Sequence, residues 1–178
     1  MATNLEFINS FTGGSGASTF SIDNVFSDKY DVYLASIDVG IGSTGSNSHL
    51  RLLDSSGTII TASEYDSATL GTISNSTFAN HRFTNQAFIH YINYAFTTSV
   101  GGHNNIYFFN PYDSSSYTFV LNQGSFWNGT NHFGRKAIGV HKSAETIRGF
   151  NLVRENTSFG WNGDLVISVY GVKKCQVA

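Results

Sequence analysis

"YLASIDVGIGSTGSNSHLRLLDSSG", residues 33–57, holds Gly40-Ile41-Gly42-Ser43-Thr44-Gly45 at the end of an apolar run. This spells GxGxxG, the turn that cradles a dinucleotide pyrophosphate when a strand precedes it and a helix N-terminus follows. A strand does precede it: Tyr33, Ala35, Ile37 and Val39 alternate with Val32 and Leu34. After Gly45 come Ser46-Asn47-Ser48 and then the alternating "HLRLL" of residues 49–53, which reads as strand again. Without a helix there is no amide cup for a phosphate. The glycines are therefore read as a loop between two strands, and the chain as all-β.

The same alternation recurs outward. "QAFIHYINYAF" (86–96), "NNIYFFNP" (104–111), "YTFVLNQG" (117–124) and "DLVISVYGVK" (164–173) all carry it. Asp54-Ser55-Ser56-Gly57 is a hairpin turn signal, because Asp bonds its own backbone and Gly takes a positive φ. One stretch, "SEYDSATLG" (63–71), offers a weak helix, but Ser, Thr and Asp make it a poor one, and no convincing helix is read in the chain. About seven to nine strands with frequent turns predict a single antiparallel β-sandwich. Residues 1–17 read as a polar N-terminal arm, with Leu5, Phe7, Ile8 and Phe11 as candidate inter-subunit contacts. The sandwich then fills 18–174, and 175–178 form a tail carrying Cys175.

Composition fits this reading. Charged residues make up 12% of the 178, about half the usual share of roughly 25%. Aromatics make up 15%, so a large apolar interior is available. Net charge is −2, which leaves no electrostatic footprint for nucleic acid. No run approaches the roughly 18 apolar residues that span a bilayer, and "MATNLEFINS" carries no signal-peptide pattern. Synthesis and folding in a cytosol are expected. The single cysteine, Cys175, has no internal partner for a disulfide.

Catalytic and metal motifs are missing. His49, His81, His90, His103, His132 and His141 include no HxH or HExxH spacing, and no GxSxG elbow occurs. Glu64 and Asp66, the closest suggestive acids, read as solvated. No cofactor, metal or catalytic residue is expected. The candidates that remain lie in predicted loops, where binding residues concentrate. They are His103 in "VGGHNN", Phe126, Trp127 and His132 in "NQGSFWNGTNHFG", and Trp161 in "ENTSFGWNGDLV". Each ring either folds over the sandwich edge or stands exposed to stack on a sugar or dock a partner subunit.

The stretch 144–174, "AETIRGFNLVRENTSFGWNGDLVISVYGVKK", resembles a pattern of bacteriophage virion proteins. In that family an "ITGI-aromatic" strand leads into a polar loop and then a strand ending in "YG(I/V)K". Ile147-Arg148-Gly149-Phe150, residues 156–163 and Val169-Tyr170-Gly171-Val172-Lys173 occupy those places. "FSIDNVFSDKYDVYLASIDVG" with "LRLLDSSGT" is similar to the family's opening, and "NNIYFFNPYDSSSYTFV" to an inner hairpin with Asn-Pro at its tip. The resemblance covers residues 18–174 and implies a jelly-roll domain that trimerises on phage heads, fibres or tails. It carries no catalytic residues. The implied function is a non-enzymatic virion structural protein, assembled in the host cytoplasm. The leading expectation is a capsid decoration protein forming trimers against the major capsid protein. The alternative is a tail-fibre or knob module that binds host glycans; a polysaccharide-cleaving enzyme ranks third. Neither nucleic acid nor membrane is an expected partner.

Overall fold

The computed structural model describes residues 4–39, 46–75, 78–95, 102–127, 130–158, 160–161 and 163–173. Twelve strands and no helix occur among them. In chain order they are β1 (Leu5–Gly13), β2 (Thr19–Ile22), β3 (Val32–Val39), β4 (Ser46–Asp54), β5 (Tyr65–Ile73) and β6 (Phe78–Gln86). Then follow β7 (Ile89–Ala95), β8 (Gly102–Phe109), β9 (Thr118–Trp127), β10 (His132–His141), β11 (Ile147–Arg154) and β12 (Leu165–Val172). One sheet runs β1-β12-β3-β8-β9-β10-β5-β6 and the other β2-β11-β4-β7. The chain is an all-β antiparallel sandwich.

Its topology is a jelly roll. β1-β12-β3-β8 and β2-β11-β4-β7 are two four-stranded sheets between which the chain alternates, as two nested Greek keys require. The hairpins β5–β6 and β9–β10 are additions that double the width of the first sheet. The GxGxxG segment falls outside the described residues, but β4 begins at Ser46 and pairs with β7 and β11, so a strand follows it. The Asp54 turn forms as its chemistry dictates. Asp54 Oδ1 accepts from the Ser56 and Thr58 amides at 2.8 and 2.9 Å, and Gly57 sits at φ 86°.

The core lies between the sheets, where alternate residues of each strand point inward. Tyr33, Ile37, Phe108, Ile167 and Val169 meet Ile22, Leu50, Leu52 and Phe150. Phe108 touches both Phe26 and Phe150 at 4.9 Å between ring centroids.

Cross-strand register also orders the outer face of the wide sheet. Phe7, Tyr170, Leu34, Tyr107, Leu121 and Ile138 stand side by side in one row. The next row holds Val172, Val32, Phe109, Phe119 and Val140. On the other side the rows turn polar: Ser168, Ser36, Asn105 and Gln123, then Asp38, His103 and Ser125.

Three expectations are corrected. Residues 63–71 contribute to β5 and not to a helix, since Tyr65, Ser67 and Thr69 alternate inward. Residues 5–13 are not an arm but β1, an edge strand paired with β12 of the same chain, with Ile8 and Phe11 packed against the core. The next residues are docked as well: the Gly16 amide donates to Trp161 O at 2.7 Å and the Trp161 amide to Ala17 O at 2.9 Å. Finally, His103, Phe126, Trp127 and His132 belong to strands and not loops.

Candidate functional site

Neighbouring strands set out the site. Asp38 on β3 faces His103 on β8, His103 faces Ser125 on β9, and Ser125 faces Gly134 on β10. Their side chains share the outer face because all occupy the same pleat phase. With no side chain at Gly134, the ring of His132, two residues earlier on the same face, reaches Ser125. Ser125 Oγ and His132 Nε2 are hydrogen-bonded at 2.6 Å. His103 Nδ1 donates to Asp38 Oδ1, also at 2.6 Å, and its Nε2 stands 3.3 Å from both Ser36 Oγ and Asn105 Oδ1. Trp127 closes the end of the cleft opposite His132 across the β9–β10 pair and is 38% exposed.

Asp38, Gly102, His103, Ser125, Phe126, Trp127 and His132 together line an open cleft of about 510 Å³. Four of the five contact residues expected from sequence therefore meet in one place. Phe126 contributes from below: it is buried, stacked on Phe133 at 5.2 Å, and supports the strand end. Trp161 does not belong to the cleft. It is a core residue, 2% exposed, gripped by residues 14–17 and unable to stack on an external ligand. Asp38 and Ser125 were missed in the sequence because their partners are 65 and 7 residues away and only the register joins them.

The cleft combines an aromatic plate, a carboxylate and two imidazoles fixed by partners, the mix by which a mostly preformed site orients a small polar ligand. Its hydrogen bonds form an Asp38–His103–Ser36 chain and a separate Ser125–His132 pair. A serine nucleophile needs one base, oriented by a third group. Here Asp38 orients His103, whose Nε2 lies 3.3 Å from Ser36 Oγ on the neighbouring row, while Ser125 bonds to His132. The carboxylate and the imidazoles suit holding hydroxyl groups.

A second cluster gathers Glu64, His141 and Glu145, whose ligand atoms lie within 4.8 Å of one another. His141 is fully buried, with Nε2 3.2 Å from Glu64 Oε2 and 3.7 Å from Glu145 Oε1. Its Nδ1 is buried and has no hydrogen-bond partner. A proton there would be stranded, so it sits on Nε2 and is donated to Glu64. A metal on Nε2 would force that proton onto Nδ1. These residues fit a structural hydrogen bond and do not fit a metal centre. The other acid of the pair noted in the sequence, Asp66, is bound to Lys142 at 2.9 Å.

No protein-family model and no curated protein matches this chain. Among solved structures, the marine PL-14 alginate lyase from Aplysia kurodai is similar at 7% identity and a TM-score of 0.37, over 91% of this chain and 80% of that one. The C2A domain of plant extended synaptotagmin 1 is similar at 9% identity and a TM-score of 0.17, over 82% and 98%. Likenesses of this size carry no functional argument.

Proposed function

We propose that this chain is a non-enzymatic structural protein of a bacteriophage virion that holds a host surface saccharide in the Trp127 cleft. The virion assignment rests on the sequence resemblance over residues 18–174. The saccharide assignment rests on one observation: an exposed indole beside the prearranged Asp38–His103 and Ser125–His132 pairs. An indole offers an apolar face to the C–H side of a sugar ring, while carboxylate and imidazole take its hydroxyls. Rigid strands supply the floor, so little ordering entropy is lost on binding.

A glycan array probed with the purified protein tests the reading, with Trp127→Ala and Asp38→Asn beside the wild type. Binding of host-surface polysaccharide that falls about tenfold or more in Trp127→Ala supports it. No saccharide bound by the wild type, or release of sugar fragments from the polysaccharide, overturns it. Electron microscopy of labelled particles then separates the two virion positions. Label on tail tips fits recognition, and label across the head fits a decoration protein seated on the major capsid protein.

A further inference from the structure

Where β8, β9, β10, β5 and β6 run side by side, the outer face of the wide sheet is hollowed into a groove of about 610 Å³. That is larger than the Trp127 cleft and within the roughly 300–1,000 Å³ of small-molecule sites. Register lays out the lining. One row across the strands reads Leu121, Ile138, Ala68 and Arg82, and the next runs from Phe109 and Phe119 to Asp66. Both rows begin apolar and end at a charge. β9, β10 and β5 are interior strands whose amides and carbonyls are used in ladders, so the floor offers a ligand no backbone partner. Such a floor suits hydrocarbon.

The two charges at its end are not equivalent. Asp66 is committed within the chain: its Oδ1 takes Lys142 Nζ at 2.9 Å and the Asn85 amide at 2.7 Å. Arg82 forms no ion pair among the described residues, so one uncompensated guanidinium stands at the end of a hydrocarbon-lined groove. We infer that the groove binds a free long-chain fatty acid, with its tail along Phe119, Leu121 and Ile138 and its carboxylate on Arg82. A guanidinium takes a carboxylate through two parallel N–H···O bonds. From β8 to β6 is four strand spacings, about 19 Å at roughly 4.8 Å each, which an extended long acyl chain fills. A single cation is too few for a lipid surface, which clusters of Lys and Arg grip. The groove is also too small for a stable contact with another protein. The inference is independent of the saccharide cleft, which opens on the polar half of the same face.

Fluorescence titration of the full chain with dansylundecanoic acid, followed by displacement with palmitate, tests it. Micromolar binding of one probe per chain, displaced by palmitate, is expected. Arg82→Ala should weaken it about tenfold or more, the worth of a hydrogen bond to a charged group, and Arg82→Lys should recover part of the loss. The methyl ester of the probe should bind the wild type no better than the acid binds Arg82→Ala. Ile138→Glu, at an exposed position on the floor, should abolish binding while circular dichroism stays unchanged. No binding by the wild type overturns the inference, and so does an affinity unchanged in Arg82→Ala or in Ile138→Glu. Binding to phosphatidylglycerol vesicles but not to the free acid overturns it as well. If Ile138→Glu misfolds, the comparison of acid and ester on the wild type decides. Glycan binding scored in parallel keeps the two proposals apart, since either can fail with the other standing.

Discussion

His49 is buried on β4, with its imidazole stacked on Phe88 at 4.3 Å and edge-on to His90 at 4.8 Å. Burial holds its pKa down to about 3, and the nearby His90, Arg51 and Arg135 push it the same way. The ring is therefore neutral in the fold but titrates near its ordinary value of about 6.5 once unfolded. Below that value the unfolded chain binds the extra proton, so stability is complete above about pH 6.5 and is lost as pH falls towards 3. The loss is about 2 kcal/mol at pH 5. His49→Phe keeps an aromatic ring and removes the proton. Its urea midpoint should change less between pH 7.5 and pH 5 than the wild type's. Equal slopes in the two proteins would refute the assignment. Some slope will persist, because burial also lowers the pKa of His90. Nothing in "SHLRL" announces this behaviour: the alternation marks His49 as a strand residue, but its aromatic neighbours come from residues 88 and 90.

Whether an element is legible in sequence depends on where its apolar side points. β3 and β12 lie inside the wide sheet, one face towards the core and the other on the apolar rows, so their hydrophobic runs stand out plainly. β5 inverts the usual pattern. Its inward residues include Ser67 and Thr69, with Ser67 Oγ accepting from the His90 amide at 3.2 Å, while Ala68 and Leu70 face out. Polar residues inside and apolar ones outside look irregular in one dimension, which is why the stretch reads as a weak helix. β1 is obscured differently: Asn, Ser and Thr dilute its alternation, and pairing with residues 165–172 cannot be read locally. Docking of β1 has a thermodynamic consequence. Removing residues 1–13 strips half-buried Ile8 and Phe11 from the core edge, a loss of roughly 2–3 kcal/mol. The shortened chain should still unfold cooperatively but at lower urea, by tryptophan fluorescence. An unchanged midpoint would mean that β1 is a detachable arm after all.

At the scale of the whole molecule, first and last strands close the fold. β1 lies against β12, β2 against β11, and β12 sits between β1 and β3 within the wide sheet. The sandwich class was legible because turn chemistry and alternation are local. The cleft was half legible: loop-like Gly and Asn flanks drew attention to His103, Trp127 and His132, but only strand order brings Asp38 beside them. Such non-local pairing makes folding slow, in the millisecond-to-second range of β-sandwiches. It also makes the molecule's dependence on its two ends unequal. Deleting β1 removes an edge, whereas ending the chain at Asp164 removes an interior strand and with it Leu165, Ile167 and Val169, all buried. That loss exposes hydrogen-bonding edges on both β1 and β3 and takes away the side chain of Leu165, against which Gly14 packs. Three deleted aliphatic side chains at about 2–3 kcal/mol each approach the entire 5–15 kcal/mol that holds an average domain together. The chain ending at Asp164 should therefore show no cooperative urea transition and be cleaved quickly by protease, while the chain lacking residues 1–13 resists it. Cooperative unfolding of the C-terminally shortened chain would mean that the jelly roll closes without this interior strand, and the order β1-β12-β3 would have to be abandoned.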